Sequence, residues 1–346
     1  MNELYSPSVI INEIKMLTMQ NNSGFKPVIA VVGFGKMGIL HSGILNLLIP
    51  DSVRCIVDKS FLISYCGKLL VKKINFYKTL EKLISNEDVD AVYVTTPTSS
   101  HYTLVRRALE AGIKGIFVEK PPTINSKQLL ELVDLAGNST VMVGFQKRFA
   151  LPFMHVKRIL DSKALGSVKH VTGYIRSGDI LTSTSRFDKL GRGVLLDLGT
   201  HLADLMTWFF GELNVTKVRF RSLYTKVDDT VEAELYSPEG FRILFEASWS
   251  NPDYRLPETY IKIKLEKGTI EVTEDYLRIS ENDGFGKTYY KPNYYQGFPP
   301  VNLADPEYTI EDMHFLASLA NGTKTMTELP DIQRSMELVD RLYESG

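Results

Sequence analysis

Pro27-Val28-Ile29-Ala30-Val31-Val32-Gly33-Phe34-Gly35-Lys36-Met37-Gly38 is the stretch that decides the fold. Its first half is a short apolar run rich in β-branched residues, which reads as a buried strand, and a helix-like stretch runs on from the glycines through Leu48. Each glycine has its own task in a strand-turn-helix. Gly33 permits the tight turn, Gly35 lets the backbone approach a pyrophosphate, and Gly38 lets the helix pack close to the strand. The start of the helix presents unpaired N–H groups and the positive end of its dipole, so an anion is favoured there without a cationic side chain. Three glycines at this spacing are a weak signal alone. Here Asp58 closes the next strand, Val53 to Val57, about 20 residues further on, where a carboxylate accepts hydrogen bonds from an adenosine ribose. Gly33, Phe34, Gly35, Lys36, Met37, Gly38 and Asp58 are therefore expected to bind NAD. Asp58 would repel a 2'-phosphate, while Lys59 and Ser60 just beyond it leave NADP open.

Further βα units follow. Ala91 to Thr95 precedes a helical pattern from His101 to Ala111, Gly115 to Val118 runs into Glu119-Lys120-Pro121-Pro122, and Val141 to Phe145 supplies another strand. After Arg148 the pattern changes to strands: Val168 to Ile175, Val215 to Leu223, and a hairpin of Thr230 to Tyr236 with Phe241 to Trp249. Ile261, Ile263 and Leu265 alternate with Lys262, Lys264 and Glu266, so one sheet face is apolar and the other is free for solvent or a second subunit. The expected fold is thus α/β: an N-terminal Rossmann, doubly wound parallel sheet, then a C-terminal α+β domain with a large, mainly antiparallel open sheet. The expected division is an extension over 1–26, a nucleotide domain over 27–147, a substrate and oligomerisation domain over 148–325, and a C-terminal helix over 326–346 packing back on the nucleotide domain. In the extension, Ile10, Ile11, Ile14 and Leu17 have helical spacing, and residues 281–306, rich in Gly, Pro, Asn and Tyr, read as a long loop.

Composition narrows the classes. The 346 residues are 44% hydrophobic and 23% charged, enough for a sizeable core, and 40 basic against 41 acidic side chains leave a net charge of -1. Neither nucleic acid nor a membrane surface is expected as a partner. No apolar run approaches the roughly 20 residues that span a bilayer, and Met1 to Phe25 lacks the pattern of a signal peptide. Two cysteines, Cys55 and Cys66, make neither a disulfide scaffold nor a metal site, which fits a cytoplasmic protein. His41, His155, His170 and His314 show no ligand spacing, so no metal is expected and these four are read as structural or surface residues.

In an open parallel sheet, ligands gather at the carboxyl ends of the strands. Those ends present Thr95-Thr96-Pro97-Thr98, Glu119-Lys120-Pro121-Pro122 and Gln146-Lys147-Arg148, which places Pro97 and Gln146 with the cofactor and Arg148 with the substrate. Lys120 follows an apolar strand and precedes a proline pair, so its ammonium can be aimed at a substrate hydroxyl. A second constellation, Gly191-Arg192-Gly193-Val194-Leu195-Leu196-Asp197-Leu198-Gly199-Thr200-His201, leads into an apolar helix. Asp197 and His201 are four apart, on one helix face, where the carboxylate can orient the imidazole; the same pair is also what a purely structural contact would look like.

Taken together, the glycine fingerprint, Thr96-Pro97-Thr98, Glu119-Lys120-Pro121, Gly144-Phe145-Gln146-Lys147-Arg148-Phe149 and the Asp197/His201 segment resemble the Gfo/Idh/MocA oxidoreductases, over nearly the whole chain after residue 26. The resemblance implies that Lys120, Asp197 and His201 are catalytic, with Lys120, Asp197, His201 and Arg148 touching substrate. It also implies that Glu119, Thr96, His101 and Lys120 line the cofactor. Arg192 stands where that family often has glycine. The implied activity is hydride exchange between a nicotinamide and a secondary alcohol or ketone of a sugar, sugar derivative or inositol-like polyol, in a homodimer or homotetramer joined through the open sheet face. Two alternatives remain: a redox-neutral NAD-dependent glycosidase of the same fold, and a non-catalytic dinucleotide sensor.

Overall fold

The computed structural model describes residues 6–18, 24–60, 73–178, 180, 192–295 and 305–346. Contacts divide the chain into two compact units, and neither is one continuous stretch. The first gathers Ile14–Gln146 and Pro299–Gln333; the second gathers Met1–Glu13, Lys147–Phe298 and Arg334–Gly346.

In the first unit, helix α1 (Pro7–Thr18), which also contributes to the second, buries Ile10 and Ile14 completely, on the face that the isoleucine spacing marked. Six strands follow: β1 (Ile29–Val32), β2 (Val53–Val57), β3 (Asn75–Tyr77), β4 (Ala91–Val94), β5 (Gly115–Glu119) and β6 (Thr140–Gly144). They pair in parallel in the order β3-β2-β1-β4-β5-β6. Helices α2 (Lys36–Leu48), α3 (Leu80–Ile84), α4 (His101–Glu110) and α5 (Ser126–Ala136) make the crossovers. Every residue of β1, β4 and β5 is buried, as strands covered on both faces require, and this is why they read as unbroken apolar runs. The order turns back between β1 and β4, the switch point above which a doubly wound sheet opens its crevice.

The second unit begins with α6 (Leu151–Ser162) and β7 (Val168–Arg176), then a π-helical turn, Leu195–Gly199, that continues into α7 (Thr200–Phe210). Strands β8 (Asn214–Arg221), β9 (Thr230–Tyr236), β10 (Arg242–Ser248), β11 (Glu258–Leu265), β12 (Gly268–Val272), β13 (Tyr276–Glu281) and β14 (Gly286–Tyr290) complete an eight-stranded sheet in the order β14-β13-β12-β11-β7-β10-β9-β8. All its pairs are antiparallel except β7 with β10. Ile243, Phe245, Ala247, Ile261 and Ile263 are buried on one face. The other carries ion pairs such as Arg176–Glu246, Arg242–Glu234 and Lys262–Glu271. Helix α7 covers the apolar face so closely that a Cβ on Gly173 of β7 would sit 2.1 Å from Met206 Cε.

Two expectations are corrected. Residues 281–306 are not one long loop: β13 and β14 form a hairpin turning at Gly284, whose φ is +96°, and helix α8 (Lys291–Tyr294) follows. Tyr289 and Tyr294 are buried in it while Tyr290 is exposed, so two of the segment's tyrosines are core residues, and 296–304 lie outside the described residues. The contiguous division also differs from the observed one. Helices α9 (Pro306–Asn321) and α10 (Leu329–Glu344) end the chain. Pro299–Gln333 falls with the parallel sheet because Thr327 extends its β6 edge, giving its hydroxyl to Val143 O at 2.7 Å and taking the Val143 N–H at 2.9 Å. Arg334–Gly346, expected on the nucleotide domain, belongs to the second unit, where Tyr343 stacks on Phe220 at 5.5 Å and Arg341 meets Glu212.

Candidate active site

The glycine turn of the first unit is built as a phosphate cradle. Gly33 has φ +96°, and a Cβ on it would stand 2.7 Å from the Thr96 methyl; one on Gly38 would stand 2.1 Å from Gly33 O. A Cβ on Gly35, by contrast, would meet nothing within 4 Å among the described residues beyond its own chain neighbours. The same residue is the N-cap of α2 and supplies no side chain to the first-turn N–H groups, so those donors are left for an anion. Lys36 and Met37 open α2 directly after it. Asp58 stands over the turn, accepting the Phe34 N–H on one oxygen and the Ser60 N–H on the other, each at 2.8 Å. These are the groups that a dinucleotide's pyrophosphate and ribose require, so the residues present fit NAD.

The loops after β4 and β5 are tied to each other. His101, at the start of α4, reaches Thr96 O with Nε2 at 2.6 Å and Pro121 O with Nδ1 at 2.8 Å. Burial pushes this imidazole below its ordinary pKa, against the two carbonyls, which raise it. His101 therefore sits between the Thr96-Pro97 turn and the Lys120-Pro121 turn, whose connecting peptide is cis, and its neutral form donates to one of the two carbonyls. Ser100 holds the first of these turns from the other side, its hydroxyl donating to Thr96 Oγ1 at 2.7 Å and to Pro97 O at 2.8 Å. Glu119, at the end of β5, accepts the Lys120 N–H on Oε2 at 3.1 Å and faces His41 Nε2 with Oε1, also at 3.1 Å. Gln146 donates to the Tyr308 hydroxyl at 3.0 Å.

In the second unit, the Asp197/His201 segment is anchored at its start by Asp228. Its carboxylate accepts the N–H of Gly193 at 3.1 Å and of Leu195 at 2.9 Å, and its carbonyl accepts that of Val194 at 2.8 Å. An anion at a helix N-terminus is stabilised by the orphan donors and the dipole. Gly193 has to be glycine, because a Cβ would meet the Asp228 carboxylate at 2.2 Å. The turn that follows is π-helical, a form found frequently at functional sites. It leaves Asp197 half-exposed and His201 buried at 4% exposure, with Thr200 donating back to Leu196 O and Asp197 O at 3.1 Å. Gly191 and Cys66 lie outside the described residues.

Two arginines meet acidic and aromatic partners. Arg148, expected at the substrate, forks onto Asp204 of α7 at 2.8 and 2.6 Å, 3% exposed, with its guanidinium 5.5 Å from the Trp208 ring. Ser335 completes this network by donating to Asp204 at 2.9 Å. A buried two-point ion pair is a strut, and Arg148 ties the turn ahead of α6 to α7. Arg192 lies 4.8 Å over the Tyr343 ring and 3.6 Å from Asp340, so its charge is directed to α10. Asp204 was legible as the next step of the 197, 201, 204 helical face and was not singled out. Neither were Glu311 and Asp312, whose only signal was two adjacent acids in an otherwise apolar stretch of α9.

Comparison with known proteins agrees with the fold. The model of an oxidoreductase family with an NAD-binding Rossmann fold matches residues 28–146, and that of the GFO/IDH/MocA C-terminal domain matches residues 153–271. The chain is 31% identical over 277 residues to an inositol 2-dehydrogenase of Rhizobium meliloti, covering 78% of this chain and 82% of the relative. It is 25% identical over 290 residues to a D-apiose dehydrogenase of Paraburkholderia graminis, covering 78% and 74%. Among solved structures, a levoglucosan dehydrogenase in complex with NADH and levoglucosan superposes with a TM-score of 0.80 at 20% identity, over 92% of this chain and 96% of that one.

Proposed function

The chain belongs to the GFO/IDH/MocA family of NAD-binding oxidoreductases, and on that premise we propose that it oxidises a secondary alcohol of a sugar, sugar derivative or inositol-like polyol, or reduces the matching ketone. The observation that carries this reading is His201, an imidazole buried one helical turn beyond Asp197 on a segment clamped at its start by Asp228. In the second unit His201 takes the hydroxyl proton, and Asp197 favours the imidazolium that results. Lys120, at the end of β5 in the first unit, stabilises the alkoxide by its charge. NAD held at the glycine turn by Gly33 to Gly38 and Asp58 would supply the hydride acceptor, C4 of its nicotinamide. The polyol class is supported by the 31% identical inositol 2-dehydrogenase.

The test is an absorbance assay for reduced nicotinamide with NAD and NADP separately, over a panel of inositols, aldoses and amino sugars. Turnover with a polyol, lost by two or more orders of magnitude in Lys120→Ala and in His201→Ala with NAD still bound, is the expected result. Glycoside cleavage without accumulation of NADH would replace this reading with the redox-neutral one, and NAD binding without any chemistry would replace it with a sensor.

A further inference from the structure

Three ionisable side chains meet inside the first unit, behind the end of β5, and a fourth, Glu311, is buried next to one of them in the chain. His41 of α2 is completely buried, with Nδ1 2.9 and 3.0 Å from the two oxygens of Asp312 and Nε2 3.1 Å from Glu119 Oε1. Asp312 is also completely buried, and Glu119 is 7% exposed. An imidazole between two carboxyl groups can satisfy both contacts only with two protons shared among the three groups, either as imidazolium between carboxylates or as neutral imidazole beside one carboxylic acid. Glu311, adjacent to Asp312 on α9, is 0% exposed, and among the described residues neither of its carboxyl oxygens has a hydrogen-bond partner. An ionised carboxylate in that position would be desolvated and unpaired beside two further acids, so Glu311 holds a proton. The rings of Tyr93, Phe117 and Tyr308 wall the imidazole at 5.5, 4.9 and 6.2 Å, keeping the surroundings poorly polarisable.

Resting on the reading of the chain as an NAD enzyme, we propose that His41, Glu119, Glu311 and Asp312 form a buried proton store whose occupancy follows the charge of the bound nicotinamide. Glu119 ends β5 in the half of the sheet, β4 to β6, that takes the second nucleotide of a dinucleotide in this topology. Oxidised nicotinamide carries a positive charge that reduced nicotinamide lacks, so NAD+ favours loss of a proton from the store and NADH favours its retention. The other titratable or charged groups facing the store are Tyr93 of β4, Glu307 and Tyr308 in the first turn of α9, His101 of α4, and Lys120 next in the chain to Glu119. Burial raises Glu311 well above the carboxylate range, and the adjoining Glu119 raises it further. For His41 burial is the largest influence and works downward, yet Asp312 and Glu119 together carry the group well above its ordinary value.

Two measurements on the full chain test this without turnover. Infrared spectroscopy of the protein alone at neutral pH is expected to show a protonated-carboxyl band that disappears in Glu311→Gln; a spectrum identical in the two proteins overturns the store. Calorimetric titration with NAD+ and with NADH, each in two buffers of different ionisation enthalpy, counts protons. Wild type is expected to release more with NAD+, and the ratio of the Kd for NADH to that for NAD+ is expected to rise with pH, by at most about tenfold per pH unit for one linked proton. In Glu311→Gln, and in Glu311→Met as a second variant, both differences shrink. Equal proton counts for the two cofactors in wild type, or an undiminished difference in both variants, refutes the coupling. Failure of the dehydrogenase reading is separate: it shows as tight nucleotide binding with no polyol oxidised, and leaves these counts as they are.

Discussion

Gly35 and Gly38 separate two reasons for a glycine within one turn. Gly38 is required by the fold itself, since a Cβ there would overlap Gly33 O at 2.1 Å and backbone cannot yield. Gly38→Ala is expected to cost about 1–3 kcal/mol in denaturant unfolding, the range of an overpacked site. Gly35 has open space around it and an ordinary φ of -83°, so Gly35→Ala leaves stability within ~0.5 kcal/mol. If the pyrophosphate approaches the backbone there, the same substitution weakens NAD binding by roughly tenfold, about 1.4 kcal/mol. Calorimetric NAD titration and urea unfolding of the two variants check both statements, and unchanged NAD affinity in Gly35→Ala would move the phosphate site elsewhere. His101 makes the same distinction among polar residues. It was expected to line the cofactor, and what the structure shows is an imidazole spanning two turns, Thr96-Pro97 and Lys120-Pro121.

Helical elements in the second unit depend on the carboxylates of Asp228, half-buried, and Asp204, buried. Asp228 holds the start of the Asp197/His201 segment through three contacts to its first N–H groups. Asp228→Ala is expected to lower stability by about 1–2 kcal/mol and to lower kcat more than it raises KM, because the segment carrying the proposed base loses its clamp. Arg148 and Asp204 join the turn ahead of α6 to α7 across a buried ion pair. Arg148→Met alone leaves an unpaired buried carboxylate and should cost about 3–5 kcal/mol, whereas Arg148→Met with Asp204→Leu recovers most of that loss. Urea unfolding of the single and double variants measures it, and a double variant no better than the single would show that the pair contributes through packing rather than charge.

At the scale of the molecule, buried titratable groups set how stability follows pH. Folded-state pKa values of His41 and Glu311 are raised, so their contribution is complete below the ordinary values of 6.5 and 4.5 and is lost as pH rises through the higher folded values. His101 and His314 are lowered by burial, so theirs is complete above 6.5 and is lost as pH falls through the depressed values. Tm is therefore expected to fall on both sides of a maximum, and Glu311→Gln to flatten the alkaline side alone; a fall as steep as in wild type would exclude Glu311 as its cause. The sequence by itself determined the doubly wound sheet, the glycine turn with Asp58, the alternating strands of the second sheet and the positions of Lys120, Asp197 and His201. Those features are local: strand periodicity, turn chemistry and helical spacing act over a few residues and are written in the order of the chain. Only the tertiary structure decided that Arg148 serves Asp204, that residues 281–295 form a hairpin and a helical turn, that Thr327 completes the edge of β6, and that His41 meets acids 78 and 271 positions away. A charged side chain in a sequence carries no mark of its partner. The partner is selected when burial removes water from both, and that is a property of the packed molecule.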